Sequence, residues 1–141
     1  MKIEKVALAI IIDKNNKILL TQRVDPQNRL THLKWQFPGG GVEKNEQIID
    51  ACIREAYEEV GLKIKILSQS PQIIRQKFPD STYDLYGFLA EAISGTIDTS
   101  SDDETGETRW ATLSEIKKID CLDNTYEMAE MCIKDYGRKL T

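Results

Sequence analysis

Two apolar runs, Val6–Ile12 and Ile18–Gln22, are divided by the polar stretch Asp13-Lys14-Asn15-Asn16-Lys17, and this pattern predicts two strands joined as a hairpin. A short third strand is expected at Trp35–Phe37, ahead of Pro38 and three consecutive glycines that read as a turn. From Glu46 to Val60 the period changes. Ile49, Cys52, Ile53, Ala56 and Val60 recur at helical spacing and form one apolar stripe, with Asn45 as N-cap and Gly61 as the stop. Lys63–Leu67 and Pro71–Lys77 read as extended, and the turn Pro79-Asp80-Ser81 precedes a strand over Tyr83–Ala92. The acidic stretch Asp98–Gly106 reads as a surface loop before a short strand around Trp110, and helices are expected over Leu113–Ile119 and Asn124–Arg138. Interleaved strands and helices place the chain in the α/β (α+β) class with a mixed sheet. With 141 residues and neither repeat nor linker, it reads as one domain, 1–141.

Composition narrows the function classes. A chain 40% hydrophobic and 30% charged is an ordinary soluble globular protein. Nineteen Lys and Arg against 23 Asp and Glu give a net charge of -4, which argues against a nucleic-acid polymer as partner. A polyphosphate binds such a protein only if something else supplies positive charge. Cys52, Cys121 and Cys132 form no CxxC pair and His32 is the single histidine, so neither a disulfide framework nor a zinc site is expected. They read as thiols of a reducing, cytoplasmic setting. The run Val6–Ile12 is too short to cross a membrane and is followed by no cleavage site, so no membrane partner is expected.

Charge placement adds chemistry. On the helix over Glu46–Val60, Glu55, Glu58 and Glu59 fall within an arc of roughly 100°, placed opposite the apolar stripe. Like charges at these spacings destabilise a helix by about 0.2–0.5 kcal/mol per pair, and the macrodipole disfavours acids near its C-terminal end. A hard divalent cation reverses that balance. The alternative is a solvated face whose acids pair with Arg54, Lys63 or Lys65. The preceding Gly39-Gly40-Gly41 lets a ligand approach the backbone closely, and the two features at this spacing make a far stronger signal than either alone.

Gly40, five residues, Glu46, seven residues, then Arg54-Glu55-Ala56-x-Glu58-Glu59-x-Gly61-Leu62 resembles the Nudix box. Ala56 departs from the larger aliphatic residue of the pattern and lies on the apolar stripe, where it reads as a packing variation. The flanking Gln22-Arg23, Trp35-Gln36-Phe37-Pro38-Gly39-Gly40 and Glu107-Thr108-Arg109-Trp110 extend the likeness.

The resemblance implies an α/β/α sandwich around a mixed sheet, holding Mg²⁺ or Mn²⁺ and hydrolysing a nucleoside diphosphate linked to another group. It implies Glu58 and Glu59 as main metal ligands, Glu55 as a third, and the carbonyl of Gly39 or Gly40 completing the set. Arg54 would orient the catalytic carboxylates, the plainer reading being an i,i+4 pair with Glu58. Glu46 would brace the loop, or serve only as a first-turn acid. The general base would be Glu58 or an acid of the loop carrying Asp102, Asp103, Glu104 and Glu107, of which Glu104 and Glu107 are preferred. Arg23 is a candidate phosphate contact, and Asn124 a candidate base-reading residue or else an N-cap. Tyr83, Tyr86 and Phe88 are core residues or pocket lining, as are Trp35 and Trp110. The leading expectation is hydrolysis of a small nucleoside triphosphate to monophosphate and pyrophosphate. Alternatives are a nucleotide sugar, a dinucleoside polyphosphate, dihydroneopterin triphosphate, or a non-catalytic nucleotide-sensing module. Dimers are frequent in the family, so a homodimer is open.

Overall fold

The apolar run that opens near Val6 becomes a nine-residue strand, β1 (Ile3–Ile11), in the computed structural model, which describes residues 2–137. Both faces of β1 are covered, which explains a run of apolar residues where a half-buried strand would alternate. Then follow β2 (Ile18–Arg23), β3 (Trp35–Gln36), β4 (Gly39–Gly41) and the helix α1 (Ile48–Val60). The strands β5 (Lys63–Ile66), β6 (Gln72–Phe78), β7 (Ser81–Ser94) and β8 (Thr105–Ala111) precede α2 (Leu113–Ile116) and α3 (Thr125–Tyr136). One sheet has the order β4-β1-β7-β5 with β6 also on β7, and the other is β3-β2-β8. The β1–β7 pairing is parallel and the rest are antiparallel, so the larger sheet is mixed. Ala7, Ala9 and Ile11 pack with α1 through Cys52, Ala56 and Val60, while Ile10 packs with α2 and α3 through Ile116, Met128 and Ile133. The result is the expected α/β class, with helices on both sides.

Several expectations need correcting. The segment Asp13–Lys17 does turn, with the Lys17 amide donating to the Asp13 carboxylate at 2.9 Å, but the flanking strands do not remain a hairpin. They touch at the Ile12–Ile18 bridge and then diverge into separate sheets. That split opens a gap between β1–β4 and β2–β8. The three glycines form an edge strand rather than a turn, pairing Leu8 with Gly39, Ala7 with Gly40 and Val6 with Gly41. The helix α1 starts at Ile48 and not at Glu46, and Asn45 is not its cap but adopts a left-handed φ of 66°. Gly61 does end it, in the left-handed conformation with its amide on the Tyr57 carbonyl.

The buried face of α1 is also rotated from the expected stripe. Ala51, Cys52, Ala56, Glu59 and Val60 are buried, whereas Ile49 and Ile53 are 40% and 37% exposed. The reason is packing: two alanines let the helix lie close to β1, and the isoleucines ride at the margin of that contact. The acids therefore flank the core rather than oppose it. The strand β8 begins at Thr105, shortening the expected acidic loop, and α2 ends at Ile116, begun by a capping box in which Thr112 and Glu115 bond reciprocally. Asn124 precedes α3 with a φ of 71° and no side-chain capping bond, so its side chain does not cap the helix. Arg138, at the expected end of that helix, lies outside the described residues.

Candidate active site

Glu59 is a carboxylate inside the core, 4% exposed, pointing into the gap where the sheets separate. The Gly39 amide donates to its Oε2 at 3.0 Å, and the hydroxyls of Thr21 and Thr105 donate to Oε1 at 3.1 and 3.4 Å. Those donors come from β4, β2 and β8, so Glu59 is tied to the edge of one sheet and to both long strands of the other. Burial pushes its carboxyl up to about 7, against the Gly39 and Thr21 hydrogen bonds; the charges of Asp102 and Glu55 push the same way as burial.

Strand register explains why Gly39 is available. Ala9 donates to the Pro38 carbonyl and Val42 to that of Lys5, so the alternating antiparallel ladder puts Gly40 in the hydrogen-bonded pair with Ala7. Gly39 and Gly41 then direct their polar groups away from β1. The Gly39 amide meets Glu59, and the Gly41 carbonyl accepts from Arg54 Nη2 at 3.1 Å. Of the two carbonyls expected to complete a metal shell, that of Gly40 belongs to the ladder and that of Gly39 is turned outward.

Arg54 is the hub of the remaining acids. Its Nε and Nη2 grip Glu46 bidentately at 2.7 and 2.9 Å, and Nη1 reaches Glu55 at 2.9 Å and Glu58 at 3.0 Å. The i,i+4 pair with Glu58 is thus one arm of a larger network. The Arg54 side-chain bonds hold Glu46 down to about 2, aided by the Glu43 amide, and Glu46 first of all holds Arg54 firmly protonated. Glu46 is accordingly a brace between loop and helix, lying before the first helical turn. Burial raises Glu55 while Arg54 opposes it, and Glu58 and Asp102 add like charge.

The loop acids lie in different surroundings. Asp102 is the loop carboxylate whose charge acts on both Glu55 and Glu59. Glu104 is drawn instead to Arg23 Nη2 at 3.3 Å, and Glu107 lies in a groove with Trp35 and Arg109, whose guanidinium stacks on the Trp35 ring at 5.7 Å. Thr21 and Thr105, which touch Glu59, were missed altogether. Thr21 interrupts an apolar strand, a visible signal, but Thr105 reaches Glu59 through a bulge: Thr21 opposes Thr108 while Arg23 opposes Thr105, three steps on β8 for two on β2.

Among the described residues no three of His, Cys, Asp or Glu converge on one point, and Arg54 is paired with both Glu55 and Glu58. The donor set nevertheless fits a hard divalent cation: carboxylates crowd one guanidinium, and every group offered is oxygen. Space at Gly40 agrees, since a Cβ there would fall 2.5 Å from Glu55 Oε2. At Gly39 a Cβ would strike the backbone carbonyl of Ala7 and lie 3.0 Å from the Leu8 Cα. Gly39→Ala is therefore expected to cost stability, about 2 kcal/mol, because backbone must move. Gly40→Ala should fold, because only a flexible side-chain end must yield, and lose about tenfold in kcat as Glu55 is displaced. Thermal melting and turnover of both variants check this contrast; equal losses of stability would contradict it.

Beyond the Gly39–Gly40 edge lies a cavity of about 500 Å³ whose lining includes Arg23, Phe37, Gln76, Tyr83 and Asn124. The two expected substrate contacts, Arg23 and Asn124, are thus brought to one cavity. Tyr83 lines it, edge to face with Phe78 at 5.7 Å, whereas Phe88 is buried in the core with α1 and Tyr86 packs against that core. Trp110 packs in the same core. No helix among the described residues is long and apolar enough to cross a membrane.

Comparison with known proteins bears on this geometry. A family model described as NUDIX domain matches residues 2–130. An 8-oxo-dGTP diphosphatase of Escherichia coli (strain K12) is 34% identical over 95 residues, covering 67% of this chain and 71% of that protein. An RNA pyrophosphohydrolase of Pelagibacter ubique (strain HTCC1062) is 31% identical over 71 residues, 50% of this chain but only 42% of that relative's length. The MutT protein from Methanosarcina mazei Go1 superposes with a TM-score of 0.80 at 20% identity, covering 96% of each chain, a likeness of fold.

Proposed function

The chain belongs to the Nudix family of hydrolases acting on pyrophosphate bonds, and from that premise we propose that it converts a small nucleoside triphosphate to monophosphate and pyrophosphate. The observation that carries this reading is the cavity of about 500 Å³ lined by Gly39 and Gly40, the second of which faces Glu55. It lies within the size range of small-molecule sites, about 300–1,000 Å³. Its apolar walls suit a planar base, and Gln76 and Asn124 offer amides to the base edge. Arg23, ion-paired to Asp25 and Glu104 at 3.3 Å each, brings a cation to the side where phosphates would leave the cavity.

We assign Glu59, Glu58 and Glu55, with the Gly39 carbonyl, to holding Mg²⁺ or Mn²⁺, and leave Gly40 in the ladder. When bound, such a cation supplies the positive charge that a net charge of -4 lacks and makes water a better acid. Arg54 fixes the directions of Glu55 and Glu58, and the fixed Glu46 keeps Arg54 in place. Water bonds to phosphorus, the anhydride P–O bond breaks, and the proton passes to a carboxylate. Glu58, 50% exposed, serves that role where the cation leaves one of its oxygens free, and Glu104 at the Arg23 end is the second choice. Three free thiols, Cys52, Cys121 and Cys132, support a cytoplasmic setting.

A panel of nucleoside triphosphates, a nucleotide sugar, a dinucleoside polyphosphate and an RNA bearing a 5′-triphosphate tests the reading. With Mg²⁺, pyrophosphate is expected from at least one free nucleotide, and none after chelation. Faster cleavage of the RNA than of any free nucleotide would move the substrate to polymer ends. No turnover of any diphosphate would leave a nucleotide sensor.

A further inference from the structure

Thr21 is fully buried in the middle strand of its sheet, directly after the equally buried Ile18, Leu19 and Leu20. A hydroxyl at such a position costs stability unless it is hydrogen-bonded, and valine would fill the same space without that cost. The hydroxyl donates to one group, Glu59 Oε1. Thr105 is turned to the same oxygen by the β8 bulge, and the Gly39 amide serves the other oxygen. A carboxylate has about four acceptor positions. Three are taken by donors fixed in two sheets, so the carboxylate can neither rotate nor withdraw.

We propose that Thr21, assisted by Thr105, is a positioning residue that fixes the Glu59 carboxylate so that its remaining acceptor position faces a divalent cation. This rests on the reading above that Glu59 holds the cation. Neither threonine touches substrate; both act through Glu59. Without Thr21, Glu59 Oε1 keeps only the longer Thr105 bond, so that oxygen is held less firmly while Oε2 stays on the Gly39 amide.

The test is Mn²⁺ binding by calorimetry on the purified full chain, with kcat and KM for the best nucleotide measured in parallel. Thr21→Val is expected to weaken Mn²⁺ binding and lower kcat by about tenfold each, with KM nearly unchanged. Thr21→Ser restores the hydroxyl and should return both to within about threefold of the parent. A purely structural role would instead shift the melting temperature and leave Mn²⁺ affinity alone. Parent-like Mn²⁺ affinity in Thr21→Val, while Glu59→Gln loses binding, would overturn the clamp alone. Equal binding by the parent and Glu59→Gln would overturn the cation reading beneath it. Should Thr21→Val not fold, Thr105→Val carries the same test with an expected loss of about threefold, and an unchanged affinity there would overturn the proposal.

Discussion

Glu59→Gln is expected to abolish useful turnover and, in the absence of metal, to make the protein more stable above neutral pH. Both effects have one cause. In the folded chain the Glu59 carboxyl is raised to about 7, chiefly by burial, from an ordinary 4.5. The unfolded chain therefore ionises it more readily than the folded chain does. Its contribution to stability is greatest below pH 4.5, declines as pH rises from 4.5 to about 7, and is flat above that. Across that window the loss amounts to about 3 kcal/mol, at 1.36 kcal/mol per pKa unit.

Glutamine carries no charge to bury and still fits the donors: its carbonyl accepts from the Gly39 amide while its amide faces Thr21 and Thr105, whose hydroxyls can turn to accept. Melting in a chelator should show the variant more stable by about 5–10 °C at pH 8 and level with the parent near pH 4.5. Turnover should fall on the order of 10³-fold, about 4 kcal/mol of barrier. A stability difference that does not change with pH would refute the linkage, and turnover within a fewfold would remove Glu59 from the cation site. The site is thus held at a cost to the metal-free fold, and the incoming cation offsets it.

What could be read in advance was what depends on spacing within one element. Arg54 and Glu58 are one helical turn apart wherever the helix begins, so their pairing follows from sequence. Gly61 ends the helix because the left-handed stop is a local property. What could not be read depends on how distant strands come together. Thr21 meets Glu59 across 38 residues, through a gap that exists only because the first two strands part company after Ile12–Ile18. Thr105 meets it because one strand carries an extra residue. Glu104 pairs with Arg23 and Glu107 lies beside Arg109, contacts that loop composition cannot encode. Glu59 is recognisable by its position in a motif but its burial is not, because the apolar stripe includes Ile49 and Ile53, which stay partly exposed, and gives no sign that Ala51 and Glu59 share the packed face.

Arg54→Lys, usually a conservative change, is expected to be nearly as damaging as Arg54→Ala. The guanidinium serves partners lying in different directions: the bidentate Glu46 at 2.7 and 2.9 Å, Glu55 at 2.9 Å, Glu58 at 3.0 Å and the Gly41 carbonyl at 3.1 Å. Lysine has the charge but only three donors on one atom, and cannot match a planar fork. It can follow Glu46 or the pair Glu55 and Glu58, not both. If it follows Glu46, the two helix carboxylates are released to repel each other; if it follows them, the loop from Gly41 to Glu46 loses its anchor. Either way kcat/KM should fall by about 10²–10³, or about 3–4 kcal/mol of barrier, with lysine recovering less than a tenth of the loss. Glu46→Gln keeps the guanidinium and one acceptor, so its loss should be nearer tenfold. Steady-state kinetics at saturating Mg²⁺ rank the three variants. If lysine stays within a fewfold of the parent, positive charge alone suffices at this position, and the fork's geometry is not what aligns the carboxylates.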